Sequence, residues 1–88
     1  MNWTVELSAA AEKDLKRLSR DRLASLMRAI DEMESDPFAG DVKPLSGPEW
    51  KGRFRKRVGR YRIIFTADRK IGKVAISAIL IRSEKTYR

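Results

Sequence analysis

The hydrophobic pattern of the chain runs at two periods. Asn2–Leu7 alternates, with Trp3, Val5 and Leu7 on one side, and predicts a half-buried strand. From Ser8, a residue suited to cap a helix, the period lengthens. Ala11, Leu15 and Leu18 form one helical stripe ending about Leu18. A second stripe, Leu23, Leu26, Met27, Ile30 and Met33, follows Asp21 as predicted N-cap and stops near Ser35, ahead of Asp36-Pro37. Met27 and Met33 read as core filler. Residues 36–50 hold all three prolines, and three of the five glycines lie in 40–52, so this stretch reads as a loop crossing from helices to sheet. Alternation returns in Arg53–Val58 and Tyr61–Ala67, joined by a turn at Gly59-Arg60. A turn over Asp68–Gly72 then leads to the strand Lys73–Ile81. The order β-α-α-β-β-β describes an α+β domain, a helical hairpin packed on one face of a small antiparallel-rich sheet.

The turn at Gly59-Arg60 fixes more than topology. With glycine at the first central position, as a type II′ turn prefers, Val58 faces Tyr61, Arg57 faces Arg62, Arg55 faces Ile64 and Phe54 faces Phe65. Side chains alternate faces along a strand. One face then carries Arg53, Arg55, Arg57, Arg62, Ile64 and Thr66. The other carries Phe54, Lys56, Val58, Tyr61, Ile63 and Phe65 and is expected to meet the helices, with Lys56 snorkelling at an edge. Like charges placed directly opposite, such as Arg57 and Arg62, destabilise a sheet by about a few tenths of a kcal/mol. An anionic ligand would offset that repulsion; a merely solvated face is the plainer alternative. Lys73–Ile81 is apolar on both faces, so its period does not orient it, and it reads as an interior strand.

Charge sharpens this picture. The 88 residues carry a net charge of +8, but residues 1–50 hold 7 basic and 10 acidic side chains, while residues 51–88 hold 13 basic and 2 acidic. Seven of the twelve positions in 51–62 are Lys or Arg. A polyanion is the natural partner of such a surface, nucleic acid before acidic protein. Residues 1–88 are expected to form a single domain with a small core, burying about 60% of the surface that the unfolded chain exposes. There is no cysteine and no histidine, which removes disulfides, thiolate metal sites and the commonest general base. No metal or cofactor is expected. The longest apolar stretch is too short to span a bilayer, and the acidic start of the chain lacks the basic region of a signal peptide. The expected location is therefore cytoplasmic, with no membrane partner.

Nearly the whole chain resembles the RelE/ParE superfamily of bacterial and archaeal toxins from toxin–antitoxin pairs. The resemblance rests on the opening strand and Ala9-Ala10-Ala11-Glu12-Lys13-Asp14-Leu15-Lys16-Arg17-Leu18, then Asp36-Pro37 and Lys43-Pro44-Leu45-Ser46-Gly47. Its most specific part is Arg57-Val58-Gly59-Arg60-Tyr61-Arg62-Ile63-Ile64-Phe65, followed by Ile79-Leu80-Ile81-Arg82 and Tyr87-Arg88. Members of the RelE-like branch are ribonucleases that cut mRNA in the ribosomal A site. Those of the ParE-like branch poison DNA gyrase and lack the nuclease residues.

The resemblance implies a catalytic set of Arg53, Arg55, Arg62, Arg82 and Tyr87, with Lys51, Lys56, Arg57, Arg60 and Arg88 as RNA- or ribosome-docking charge. Arginine stands at the first two positions where RelE carries lysine, and arginine stays protonated, so proton donation there is weakened. Tyr87 would orient the 2′-OH, stack a base or act as a perturbed acid or base; a tail anchor is its plainer role. Tyr61 is expected in the core. The resemblance implies a cognate antitoxin as partner, the ribosome and mRNA as target, and operator DNA only through the antitoxin complex. Retention of the five catalytic positions favours the nuclease. DNA gyrase is the alternative target, and a plain nucleic-acid-binding repressor is a third class.

Overall fold

The computed structural model describes residues 2–81. Strand β1 (Thr4–Leu7) leads into helices α1 (Ala9–Lys16) and α2 (Arg20–Met33). A short strand β2 (Val42–Pro44) and a 3₁₀ turn (Pro48–Trp50) precede β3 (Arg53–Val58), β4 (Tyr61–Asp68) and β5 (Lys73–Ile81). The five strands form one sheet in the order β1-β5-β4-β3-β2. β1 runs parallel to β5, and the other pairs are antiparallel.

The α+β architecture and the helical layer agree with the sequence pattern. The β3–β4 register also does: Val58 pairs with Tyr61, Arg57 with Arg62, Arg55 with Ile64 and Phe54 with Phe65. Gly59 has φ 58°, and among the described residues no non-glycine residue has positive φ, so the turn carries its positive-φ residue first, as a type II′ turn requires. Three details differ. Ser19, not Asp21, is the N-cap of α2, and Asp21 falls in its first turn. The helix starts earlier because Arg20 and Asp21 tolerate helical geometry as well as a cap position does. Val42–Pro44 pairs with β3 inside the stretch read as loop, adding a fifth strand at the edge that three residues between prolines do not announce. Met27 is 37% exposed, whereas Met33 is fully buried.

The core lies between the helices and one face of the sheet. Ala11 and Leu15 of α1 and Leu26, Ala29, Ile30 and Met33 of α2 pack with Tyr61, Ile63 and Phe65 of β4 and Val74, Ile76 and Ile79 of β5. Phe38 meets Phe54 edge-on at 5.2 Å between ring centroids, and Phe54 stacks on Phe65 at 5.7 Å, which closes one end of this layer.

β5 carries an irregularity that orients it. Ile64 pairs with Ala78 and Phe65 with Ile76, so Ser77 is an extra residue in the ladder, a β-bulge. Helix α1 supplies the partners. Ser8 caps α1 by accepting from Ala11 N at 3.0 Å while its own Oγ donates to the Ser77 carbonyl at 2.9 Å. Nearly two turns further along, Asp14 Oδ2 accepts from Ile79 N at 3.0 Å.

Candidate nucleic-acid interface

Strand alternation and register together lay out the face of the sheet that bears no helix. Three cross-strand rows follow one another. In the first, Glu6 of β1 neighbours Ala75 of β5, Ala75 neighbours Thr66 of β4, and Thr66 neighbours Arg53 of β3. The second runs from Ala78 through Ile64 and Arg55 to Lys43 of β2. The third joins Leu80, Arg62 and Arg57. Arg53, Arg55, Arg57 and Arg62 therefore share one face, as the hairpin pattern predicts, and all four are half-buried. The small side chains of Ala75 and Ser77 leave a trough of about 320 Å³ beside Arg53, with Glu6 on its far wall and Thr66 on its floor.

An acidic residue enters this band. Asp41 immediately precedes β2, and its backbone carbonyl accepts from Arg57 N at 2.9 Å, extending the β2–β3 ladder by one step. Its carboxylate then lies among the arginines. Arg55 Nη1 donates to Asp41 Oδ1 at 3.2 Å and to the Asp41 carbonyl at 3.4 Å, while Arg57 Nε stands 3.9 Å from Oδ2. The Arg55 hydrogen bond, with further attraction from Arg55, Arg57 and Lys43, holds the Asp41 carboxyl below the usual carboxylate range. The Arg55 side chain is only 12% exposed in this arrangement.

The remaining predicted residues divide. Lys51 and Arg60 stand exposed at the two ends of β3, where docking charge was expected. Lys56 does not. Its side chain faces the helix layer, is 6% exposed, and gives its ammonium to the Ala39 carbonyl. Strand alternation forces it inward, and a loop carbonyl satisfies it there, so its charge is withdrawn from any ligand on the arginine face. Tyr61 is buried in the core as expected, and its hydroxyl accepts from Arg22 Nη1 at 3.2 Å. Arg82, Tyr87 and Arg88 lie outside the described residues.

Sequence reasoning missed Asp41 and Lys43 as members of this face. Their signal was the strand Val42–Pro44, too short to alternate visibly. A larger cleft of about 550 Å³ opens on the helix side, between α2 and the β3–β4 turn, lined by Arg22, Leu26, Val58 and Tyr61. Of the basic side chains in 51–62, Arg60 alone lines it. Among the described residues, no three His, Cys, Asp or Glu side chains come together in a way that could hold a metal ion. No described helix is long and apolar enough to cross a membrane.

Comparison with known proteins bears on the fold and the family. The fold matches the toxin–antitoxin complex RelBE2 from Mycobacterium tuberculosis with a TM-score of 0.83 and 26% identity, covering 93% of this chain and 100% of that one. It matches the archaeal RelE–RelB complex from Pyrococcus horikoshii OT3 with a TM-score of 0.81 and 24% identity, covering 96% and 99%. A YoeB/ParE toxin from Agrobacterium tumefaciens follows with a TM-score of 0.75 at 15% identity over 91% and 99%, a likeness of fold alone. Among curated protein sequences none matches. The family profile for the ParE toxin of type II toxin–antitoxin systems, parDE, matches residues 5–86, nearly the whole chain. With its fold shared by RelE chains and its sequence matched by that profile, the chain belongs to the ParE toxin family and is a toxin of a type II toxin–antitoxin system in the RelE/ParE superfamily.

Proposed function

We propose that this toxin is a metal-independent endoribonuclease that cuts mRNA in the ribosomal A site. The observation that carries the reading is the band of Arg53, Arg55 and Arg57 at alternate positions of β3, with Arg62 opposite Arg57 on β4, on the helix-free face. A sheet holds such guanidinium groups at fixed spacing, and guanidinium forks match phosphate oxygens. In the reaction the 2′-OH loses its proton and its oxygen attacks the adjacent phosphorus. The P–O5′ bond breaks and the 5′-oxygen takes up a proton, leaving a 2′,3′-cyclic phosphate and a 5′-hydroxyl. Arg62, with Arg82, stabilises charge on the non-bridging oxygens; Arg53 and Arg55 hold the phosphate; Tyr87 orients the 2′-OH, stacks a base or moves a proton.

The chain has no histidine, so no side chain titrates near neutrality in its unperturbed state. A site of this kind depends on geometry supplied by its target, and a ribosome holding mRNA in a reactive conformation supplies it. Primer-extension mapping of translating mRNA tests this. Wild type is expected to cut within A-site codons, and Arg62→Ala to lower the rate by about 10²–10³-fold, the usual effect of removing one charge-stabilising donor. Equal cutting by both proteins, or by neither, rejects the proposal.

The ParE profile match favours a second reading, inhibition of DNA gyrase. That activity blocks supercoiling and induces a DNA-damage response while translation continues. Inducing the toxin in cells and asking whether protein synthesis or DNA replication fails first separates the two. Under either reading a cognate antitoxin wraps the chain. The relatives' structures as complexes support this, as does Leu80, 48% exposed in the row of Arg62 and Arg57. Operator DNA would be met only through that complex.

A further inference from the structure

The nuclease reading leaves Asp41 without a role, although its carboxylate is paired with the arginines of β3. We propose that Asp41 is an exchangeable internal counter-anion: its carboxylate occupies the place of an RNA phosphate between Arg55 and Arg57 and swings out when the RNA backbone arrives. The proposal rests on the reading of this face as an RNA site, and deepens it by naming a residue that sets how tightly RNA is held.

Three observations support exchange rather than permanent pairing. The Asp41 backbone is fixed independently of its side chain, through its carbonyl to Arg57 N at 2.9 Å, through Val42 N to Gly40 O at 3.1 Å, and through the Lys56 ammonium on the neighbouring Ala39 carbonyl. A rotation about the side-chain bonds therefore releases the carboxylate without unfolding the loop. The side chain is 45% exposed, so water can receive it. Finally, the contacts are uneven. Only Arg55 is within hydrogen-bonding distance, at 3.2 Å, and Arg57 remains at 3.9 Å. With its carboxylate end open to solvent, the pair is weakened by screening. A phosphate offers more oxygens to the two forks and forms stronger, charge-assisted bonds.

A bound carboxylate also carries selectivity. Any anion that reaches Arg55 and Arg57 must displace Asp41, so chloride and isolated carboxylates are disfavoured. A ligand that simultaneously engages Arg53 and Arg62, as a continuous phosphate backbone does, gains enough elsewhere to displace it.

The test is anisotropy titration of a 2′-O-methyl RNA oligonucleotide, which cannot be cut, with the full chain over a range of salt. Asp41→Asn keeps the shape and removes the charge. It is expected to bind about three- to tenfold tighter at low salt. Its log–log salt slope should steepen by about 0.7–1.4, the signature of one or two added phosphate contacts on a single strand. Asp41→Glu, which keeps the charge, should bind as wild type does. Unchanged affinity and slope in Asp41→Asn would overturn the proposal. So would weaker binding, or failure of that variant to fold, since both would make Asp41 a fixed support for the arginines. The two readings fail separately. Arg62-dependent cutting with an inert Asp41 rejects only the exchange. Tighter binding by Asp41→Asn without any cutting rejects only the nuclease.

Discussion

The two faces of the sheet are built from the same strands, yet their side chains obey opposite requirements. On the helix side, Ile63 and Phe65 of β4 are fully buried, and Val74 and Ile76 of β5 are at most 1% exposed. On the other side the intervening residues of β3 and β4 are Arg53, Arg55, Arg57 and Arg62, with Arg57 directly opposite Arg62. The first face is what hydrophobic burial selects. The second opposes like charges, an arrangement that folding alone disfavours by about a few tenths of a kcal/mol per pair. Even Ile64, which points to the arginine side, is 5% exposed and lies outside the core cluster. The buried apolar set and the arginine set thus fall on alternate residues of one hairpin. A substitution can address either without the other.

The sharpest break in that comparison is Phe65→Ala. It empties the centre of the buried layer and should cost about 3–5 kcal/mol in urea unfolding, a large share of the stability of a domain this size. A loss under about 1 kcal/mol would contradict the core described for β4. Arg62→Ala, three positions earlier on the opposite face, should leave unfolding within about 0.5 kcal/mol of wild type while abolishing most cleavage. Lys56→Ala tests the residue that belongs chemically to one face and spatially to the other. The loss of its buried stem and its charged hydrogen bond to Ala39 should destabilise the fold by about 1–3 kcal/mol. Lys51→Ala, on the same segment but exposed, should be nearly neutral in the same melt. Equal effects of the two lysine variants would place Lys56 on the surface.

The smallest effect concerns acid. Asp41 has a carboxyl held below its ordinary value of 3.8 by Arg55 and its neighbours. A carboxylate with a depressed folded pKa contributes stability above the unfolded pKa, and that contribution disappears as the pH falls through the folded one. Thermal melts of wild type and Asp41→Asn should therefore differ by a constant amount above about pH 5 and converge below the ordinary value. A gap that persists undiminished to about pH 2 would mean that the Asp41 pairing with Arg55 does not exist in solution.

Much of this division was legible in the sequence. A two-residue turn with a leading glycine fixes a register, and the register separates the apolar residues of β3 and β4 from the arginines. The helices were legible through their 3.6-residue stripes. Three things were not. β2 has only three residues, one a proline, and its pairing with β3 is decided by the tertiary position of the loop rather than by local preference. Asp41 joins the arginine face only through that pairing. The orientation of β5 was hidden because its alternation slips at Ser77: before the bulge Val74 and Ile76 face the helices, and after it Ile79 does. A two-residue period cannot register a one-residue insertion that reverses it.

The bulge has a consequence for how the chain assembles. β5 lies between β1 and β4 in the sheet, and among the described residues β1 has no other strand beside it. The bonds from Ser8 to Ser77 and from Asp14 to Ile79 span 69 and 65 residues of sequence. During synthesis the first strand and first helix therefore wait, with their apolar sides uncovered, until the last described strand has been made. Contacts of such long sequence separation close loops at high entropic cost and slow folding. The arginine face gains the Leu80 side of its frame only when β5 is in place, so this face forms late and all at once rather than piece by piece.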